Sequence, residues 1–471
     1  MLLDILNEKH SAYEERQALW DYYYRSYVGG NEYRNGEFLR KYFGEEYAPT
    51  DVYQGRLDNT PFDNHVRTTI DVYRSFLFRN APRRELGALA NNPFVQSWIK
   101  DVDLDGQGMD SFMKTALDWA MVYGNVWIGI DKPQYQANTM AEELAAGVRA
   151  YATMYTPQNV TNWHYTRSAN GRMSLSMLVV LEECGCEHDT IKIWTPENCM
   201  RVKATKAADG QYDEILETEE FVNPLGYVPF VNLVAQRTPV RGVGHSLVAD
   251  VADMSRSIYN KLSELEQNIR LSVHPTLVKT TETSAEGGAG AVINIDDDLP
   301  ADKNPYLLQP EGSSIQGILD SIQHDIDSID RMSHLTAVRT KRNSASSGVA
   351  LQTERQLLNS LLSDLADNVN ETEVKLWDIW MDWQDLVETQ EFDIEYSKSF
   401  DIRDNHLDVE LLSRSMQLVQ NNDFHELAQM EIAKIVFEDE RDLAHVLKSI
   451  AAQATNVVEA EIKPASDLED K

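Results

Sequence analysis

The sequence predicts an α+β fold that is mainly helical, and three observations carry that reading. Between Tyr151 and Phe230, β-rich apolar segments alternate with turn residues. From Leu247 to Ile269 and again from Ile315 to Ile329, apolar residues recur at spacings of three and four on either side of a compact insert. From Val349 to about Glu388, one helical pattern runs for roughly 40 residues, beyond the usual globular length. A chain of 471 residues suggests about three domains and is ample for a sizeable core.

Taken in order, Ser11 to Phe43 is rich in aromatic residues, among them Trp20, Tyr22, Tyr23, Tyr24 and Tyr27, and reads as amphipathic helices interrupted at Gly29-Gly30. Asn64 to Phe78 reads as a helix stopped by Asn80-Ala81-Pro82. Phe112 to Tyr123 is a second helix, which hands over at Gly124 to the apolar strand Val126 to Ile130. Ser174 to Leu181 and Thr190 to Trp194 are strands, and Asn223-Pro224-Leu225-Gly226 is a turn.

Leu247, Val251, Met254, Ile258, Leu262, Leu265 and Ile269 then form one apolar stripe on a helix. Its other faces carry Asp250, Asp253, Arg256, Lys261, Glu264 and Glu266, and His274-Pro275 ends it. A compact insert follows: Thr276 to Thr280, a glycine-rich turn at 287–290, a strand Ala291 to Ile295 and an acidic turn at 296–298. The chain returns on a second amphipathic helix through Ile315, Ile318, Leu319, Ile322, Ile326 and Ile329. Two helices of about 25 residues, each ~38 Å long, thus flank a small β insert as a stalk carrying a cap.

Arg339-Thr340-Lys341-Arg342-Asn343-Ser344 opens a polar, basic loop that runs to Gly348. The helix before it is acidic through Asp320, Asp325, Asp327 and Asp330, which would confine the positive charge to a band. In the long helix that follows, Leu357, Leu358, Leu361, Leu362, Leu365 and Val369 mark the expected buried face, and Trp377, Trp380 and Trp383 crowd its end. Phe392 to Tyr396 alternates as a strand, Asn405 to Gln453 is helical, and Glu459 to Lys471 is an acidic tail.

Asp and Glu number 76 against 43 Lys and Arg, a formal charge of -33, so a protein that coats DNA is excluded on electrostatic grounds. Any nucleic-acid role has to be local or non-adhesive. A hydrophobic content of 42% excludes a disordered acidic chain, and a mean hydropathy of -0.44 excludes a membrane protein. No window approaches ~18 uninterrupted apolar residues, and Met1-Leu2-Leu3-Asp4 lacks a basic leader, so neither export nor a membrane partner is expected. Three cysteines, an odd count, suggest a reducing compartment.

Three motifs invite chemistry. Asp101-Val102-Asp103-Leu104-Asp105-Gly106 copies the opening of a calcium loop, but the twelfth position, where a bidentate Glu belongs, is Phe112; an acidic helix-capping turn is the better reading. Cys184, Cys186, His188 and Cys199 have the atoms for zinc without a standard spacing, which favours ordinary cysteines on a hairpin. Gly242-Val243-Gly244-His245 precedes a helix and could cradle an anion, although glycine before a helix is a common structural device. There is no phosphate loop ending in Gly-Lys-Ser/Thr, no G-x-S-x-G and no H-E-x-x-H, so no catalytic residue, metal or cofactor is assigned and no enzyme is expected.

The order of helix, small β insert, returning helix, polar loop and very long helix resembles the portal, or head-to-tail connector, proteins of tailed bacteriophages. The same resemblance is carried by Tyr53-Gln54-Gly55-Arg56-Leu57, Pro61-Phe62-Asp63-Asn64-His65-Val66, Ile70-Asp71 through Pro82, Trp98 to Gly106, Gly124 to Ile128, Ile258-Tyr259-Asn260 with Ser263-Glu264, and Ser347-Gly348-Val349-Ala350-Leu351. It covers about residues 10 to 400.

The resemblance implies a wing over 1–243, stem helices over 244–271 and 313–337, a clip over 272–312, a tunnel loop over 338–348, a long wing helix with its return strand over 349–400, and a crown with the C-terminal tail over 401–471. It further implies a ring, usually of twelve subunits, at one capsid vertex of the virion, assembled in the host cytoplasm. Double-stranded DNA would enter and leave through that ring without sequence readout. The large terminase subunit, a head-completion or tail adaptor, and the major capsid and scaffolding proteins would be its partners. The competing expectations are another virion structural protein of the tail or capsid and, from a different class, an ATP-driven packaging enzyme.

Overall fold

The computed structural model describes residues 2–42, 45, 51–133, 142–143, 146–185, 187–273, 276–278, 300, 306–308, 312–339, 348–386, 392–398, 400, 405–419, 422–436, 446 and 448–449. It is α+β and mainly helical, and it divides into two compact units, Met1–Phe400 and Asp401–Lys471.

Helices α1 (Leu2–Asn7), α2 (Ser11–Val28), α3 (Gly30–Tyr33), α4 (Asp51–Asn59) and α5 (His65–Leu77) open the first unit, followed by strand β1 (Arg83–Glu85) and helices α6 (Pro93–Lys100) and α7 (Met109–Tyr123). Strands β2 (Asn125–Asp131), β3 (Tyr151–Tyr155), β4 (Val160–Arg167), β5 (Met173–Cys184), β6 (Asp189–Trp194), β7 (Asn198–Lys206), β8 (Tyr212–Val222) and β9 (Phe230–Val234) come next. Helix α8 (Ala249–Val273), strands β10 (Thr276–Val278) and β11 (Tyr306–Leu308), helices α9 (Gly312–Met332), α10 (Thr336–Arg339) and α11 (Gly348–Trp383), and strand β12 (Asp393–Glu395) complete it. The second unit contains α12 (Asn405–Leu418) and α13 (Asn422–Val436).

Helix α7 is apolar around most of its circumference and is correspondingly buried. It stops at Gly124, whose φ of +98° suits glycine. A Cβ on Gly124 would meet the Gly244 carbonyl oxygen at 2.5 Å, and one on Gly244 would meet the Gly124 oxygen at 1.9 Å. The Gly244 that the sequence offers as part of an anion cradle is thus needed where two backbones cross. Past that crossing, β2 is the centre of an antiparallel sheet ordered β3-β2-β9.

Helix α11 packs on that sheet through its tryptophans. Trp380 donates its indole N–H to the Ala150 carbonyl at 3.2 Å, and Trp383 donates to the Ile130 carbonyl at 3.0 Å. Trp377, Trp380, Leu358, Leu362, Leu365 and Val369 are all buried, which joins helix and sheet in one apolar core. Leu357 departs from expectation at 46% exposed: one residue off the i, i+4, i+7 row, it points about 100° away from the seam. The helix also ends earlier than the periodicity suggests, at Trp383 instead of near Glu388.

The second sheet is a five-stranded antiparallel meander, β4-β5-β6-β7-β8. One face buries Val179, Ile191, Ile193, Val202 and Ala204 beneath Leu6 of α1. Asn7 seals the end of the edge strand β8: its Nδ2 donates to the Tyr212 carbonyl and its Oδ1 accepts from the Tyr212 N–H. Across the molecule, β1 pairs antiparallel with β12, and Arg84 on β1 reaches the fully buried Glu373 of α11. In the second unit the stretch that the sequence reads as helical, Asn405 to Gln453, holds α12 and α13, and much of its remainder lies outside the described residues.

Candidate functional site

Helices α8 and α9 form an antiparallel hairpin, and strands β10 and β11, paired Thr276 to Leu308 and Val278 to Tyr306, join its far ends. Val251, Ile258 and Leu265 of α8 are buried, as are Ile322 and Ile329 of α9, while Met254, Leu262, Ile318 and Ile326 are half-buried against the same core. Leu247 lies ahead of α8, where its N–H donates to the Met121 carbonyl. Ile269 is 38% exposed, and Leu271 and Val273 beyond it are more so: this end of the hairpin lies beyond the core that covers the rest of the stripe. The predicted strand at 291–295 and the turns on either side of it fall outside the described residues.

The hairpin is pinned by polar groups that periodicity does not reveal. Asp325, 5% exposed, accepts from Lys261 Nζ at 2.6 Å and from Ser257 Oγ at 2.9 Å. Both donors belong to α8, so this carboxylate fixes the register of the two helices. On the outer face of α9, Gln316 donates to Asp320 at 2.8 Å and Gln323 donates to Asp327 at 2.9 Å, two i, i+4 pairs that set the exposed carboxylates two turns apart in one row. Of the four aspartates that the sequence placed on one acidic helix, therefore, Asp325 faces inward and Asp330 is paired elsewhere.

Asp330 is paired at a corner. Helix α9 ends at Ser333-His334 with a left-handed residue, His334 at φ +55°. The Leu335 N–H donates to the Asp330 carbonyl at 2.8 Å and the His334 N–H donates to the Arg331 carbonyl at 3.2 Å, the two bonds of a Schellman cap. Leu335 is fully buried, and Tyr73 of α5 donates its hydroxyl to the Ser333 carbonyl at 2.6 Å. The turn is followed by α10, so Val338 and Arg339 stand on a helix where the sequence predicts the start of a loop. Arg339 donates to Asp330 Oδ1 at 2.8 Å and to Thr68 Oγ1 at 3.3 Å. Lys341, Arg342, Asn343 and Ser344 lie outside the described residues.

The remaining motifs resolve into local structure. Asp103 Oδ1 accepts from the Asp105 and Gln107 N–H groups, Asp101 Oδ1 accepts from Gly106, and Asp101 pairs with Arg149 at 2.8 Å. These are turn bonds, and the N-cap of α7 is Gly108 without a side-chain bond, so the acidic run shapes the turn instead of capping the helix as expected. Cys184 ends β5 exposed, Cys199 is buried on β7 with its thiol pushed up to about 12 by desolvation, and Cys186 lies outside the described residues. Among the described residues no group of three or more His, Cys, Asp or Glu is placed to hold a metal, and no helix is long and apolar enough to cross a membrane. A cleft of about 790 Å³ between β9 and α11 is lined by Trp127, Tyr227 and Phe230, and its Arg237 and Lys375 both pair with Glu371.

No family model matches the chain, and no curated protein matches it in sequence. Among solved structures it is similar to the neck of an empty GTA particle computed with C6 symmetry, at 7% identity and a TM-score of 0.46, over 81% of this chain and 94% of that chain.

Proposed function

We propose that the chain is one subunit of a portal ring, the conduit through which double-stranded DNA enters a capsid during packaging and leaves it during ejection. The observation that carries the reading is the hairpin of α8 and α9 with β10 and β11 at its far end, followed directly by a short helix and the 36-residue α11. That succession accords with the portal-like order of the sequence segments. In this reading the wing, stem, clip, tunnel loop and crown take the boundaries that the resemblance implies, and twelve copies close the ring. The clip and stem meet the large terminase subunit and later a tail adaptor, and the outer surface meets capsid and scaffolding proteins at one vertex of the virion.

The electrostatics suit such a conduit. A chain with a formal charge of -33, carrying the acidic row of Asp320 and Asp327 on α9, repels phosphate. DNA then passes without adhering, and a small number of cations, Lys341 and Arg342, make contacts that are screened within ~10 Å at 0.1 M salt. No catalytic step is assigned to the chain.

Sedimentation or native mass measurement of the purified protein tests this proposal. The expected species is a closed multiple of the 53.6 kDa subunit, near twelve, without ATP turnover. A monomer at micromolar concentration, an open-ended polymer, or ATP hydrolysis by the chain alone would reject it in favour of another structural role or a packaging enzyme.

A further inference from the structure

We infer that Arg339 is a positioning residue that latches α10 to the end of α9 and to α5, instead of a cation offered to DNA. Its role in placing the basic segment rests on the portal reading; the latch itself does not.

Four observations converge on the corner. The guanidinium is 22% exposed and its partner carboxylate, Asp330, 16%, so the pair is shielded enough for a charge-assisted bond to hold. One nitrogen takes Asp330 on α9 and another takes Thr68 on α5, so a single side chain joins three helices. Tyr73, one and a half turns along α5 from Thr68, grips the Ser333 carbonyl at the other end of the same corner. Between these two ties stand the left-handed His334 and the buried Leu335.

The geometry requires the bend. In a straight helix, residues 330 and 339 would be nine apart and on different faces, beyond the reach of a pair. The Schellman turn at His334 brings them together, and the pair in turn helps to hold a turn made without glycine. A guanidinium engaged in this way has both terminal nitrogens bonded to the protein, one to a carboxylate that offsets its charge. In the portal reading, positive charge for phosphate is then left to Lys341 and Arg342.

Hydrogen exchange read by mass spectrometry on the purified full chain tests the latch. Arg339→Gln and Asp330→Asn should each speed exchange of the amides over 333–339 by about tenfold, leave α7 unchanged, and be no faster when combined. Exchanging the charges, Arg339→Asp with Asp330→Arg, should recover part of the protection. Unchanged exchange in the single variants, or additive effects in the double, would overturn the assignment.

The salt dependence of DNA association by the assembled protein gives an independent readout. A positioning residue leaves the slope the same in Arg339→Gln and Asp330→Asn. If Arg339 instead bound phosphate, Arg339→Gln alone would lower the slope, by about 0.9 per phosphate, and that result would also overturn the assignment. Failure of the wild-type chain to form rings counts against the portal reading alone, because the exchange experiment is decided on the chain itself.

Discussion

Replacing Asp325 with Ala removes a carboxylate that ties α9 to two donors of α8, and the structure sets the size of the effect. Breaking a buried ion pair from one side costs about 3–5 kcal/mol, most of it from stranding the other charge. Here the stranded charge is Lys261, whose side chain is 29% exposed and can turn its ammonium to water, while the side chain of Asp325 is only 7% exposed. The stranding penalty is therefore partly relieved. What remains is a charge-assisted bond at 2.6 Å and a hydroxyl bond at 2.9 Å, giving about 2 kcal/mol in all. Urea denaturation at fixed protein concentration, followed by exchange protection in α8, measures it. The paired change Lys261→Met with Asp325→Leu should recover most of the loss, since an apolar pair of similar volume avoids the desolvation cost. A loss below about 0.5 kcal/mol for Asp325→Ala, or a double variant as weak as the single, would refute the claim that this pair sets the register of the hairpin.

Burial raises the carboxyl of Asp118 to about 6 against the pull of Arg74; proton binding then favours the folded chain, a contribution complete below the ordinary value of 3.8 and lost as pH rises through 6. Asp118 should therefore contribute a fall in thermal stability between about pH 4 and 6, which Asp118→Asn should remove. His334→Gly should raise stability by about 1 kcal/mol in the same denaturation assay, because glycine adopts positive φ without a Cβ penalty, and His334→Val should lower it. Arg84→Met strands Glu373, which is fully buried and also accepts from Trp377 and Tyr396, and should cost about 3–5 kcal/mol by thermal or urea unfolding.

Elements with a strong period were legible. Helices α8, α9 and α11 follow from apolar residues three and four apart, and β5 and β6 from short apolar segments bounded by turn residues, because each buries apolar side chains in the core. Strands β7 and β8 were not individually legible. In β8 the acidic residues Asp213, Glu214, Glu217, Glu219 and Glu220 are all exposed, so an edge strand held by one neighbour shows no clean alternation. The bend at Ser333-His334 carries no glycine or proline, and its cause is tertiary: Tyr73 and Arg339 tie it to α5, at positions 260 and 271 residues away in sequence. The strand at 393–395 could be read from Phe392 to Tyr396, whereas its partner at 83–85 could not, since three residues carry no usable period. At the candidate site the apolar stripe was readable and the polar ties Lys261–Asp325 and Arg339–Asp330 were not, because residues 64 and nine apart come together only once helices pair or bend.

Electron microscopy of the purified protein in negative stain bears most directly on the central claim. The portal reading predicts end-on views of a closed ring with a stain-filled central hole and, after averaging, about twelve repeating units. Side views should narrow toward the end formed by the hairpins. Shells, tubes of indefinite length, or particles of a single subunit without a hole would contradict it.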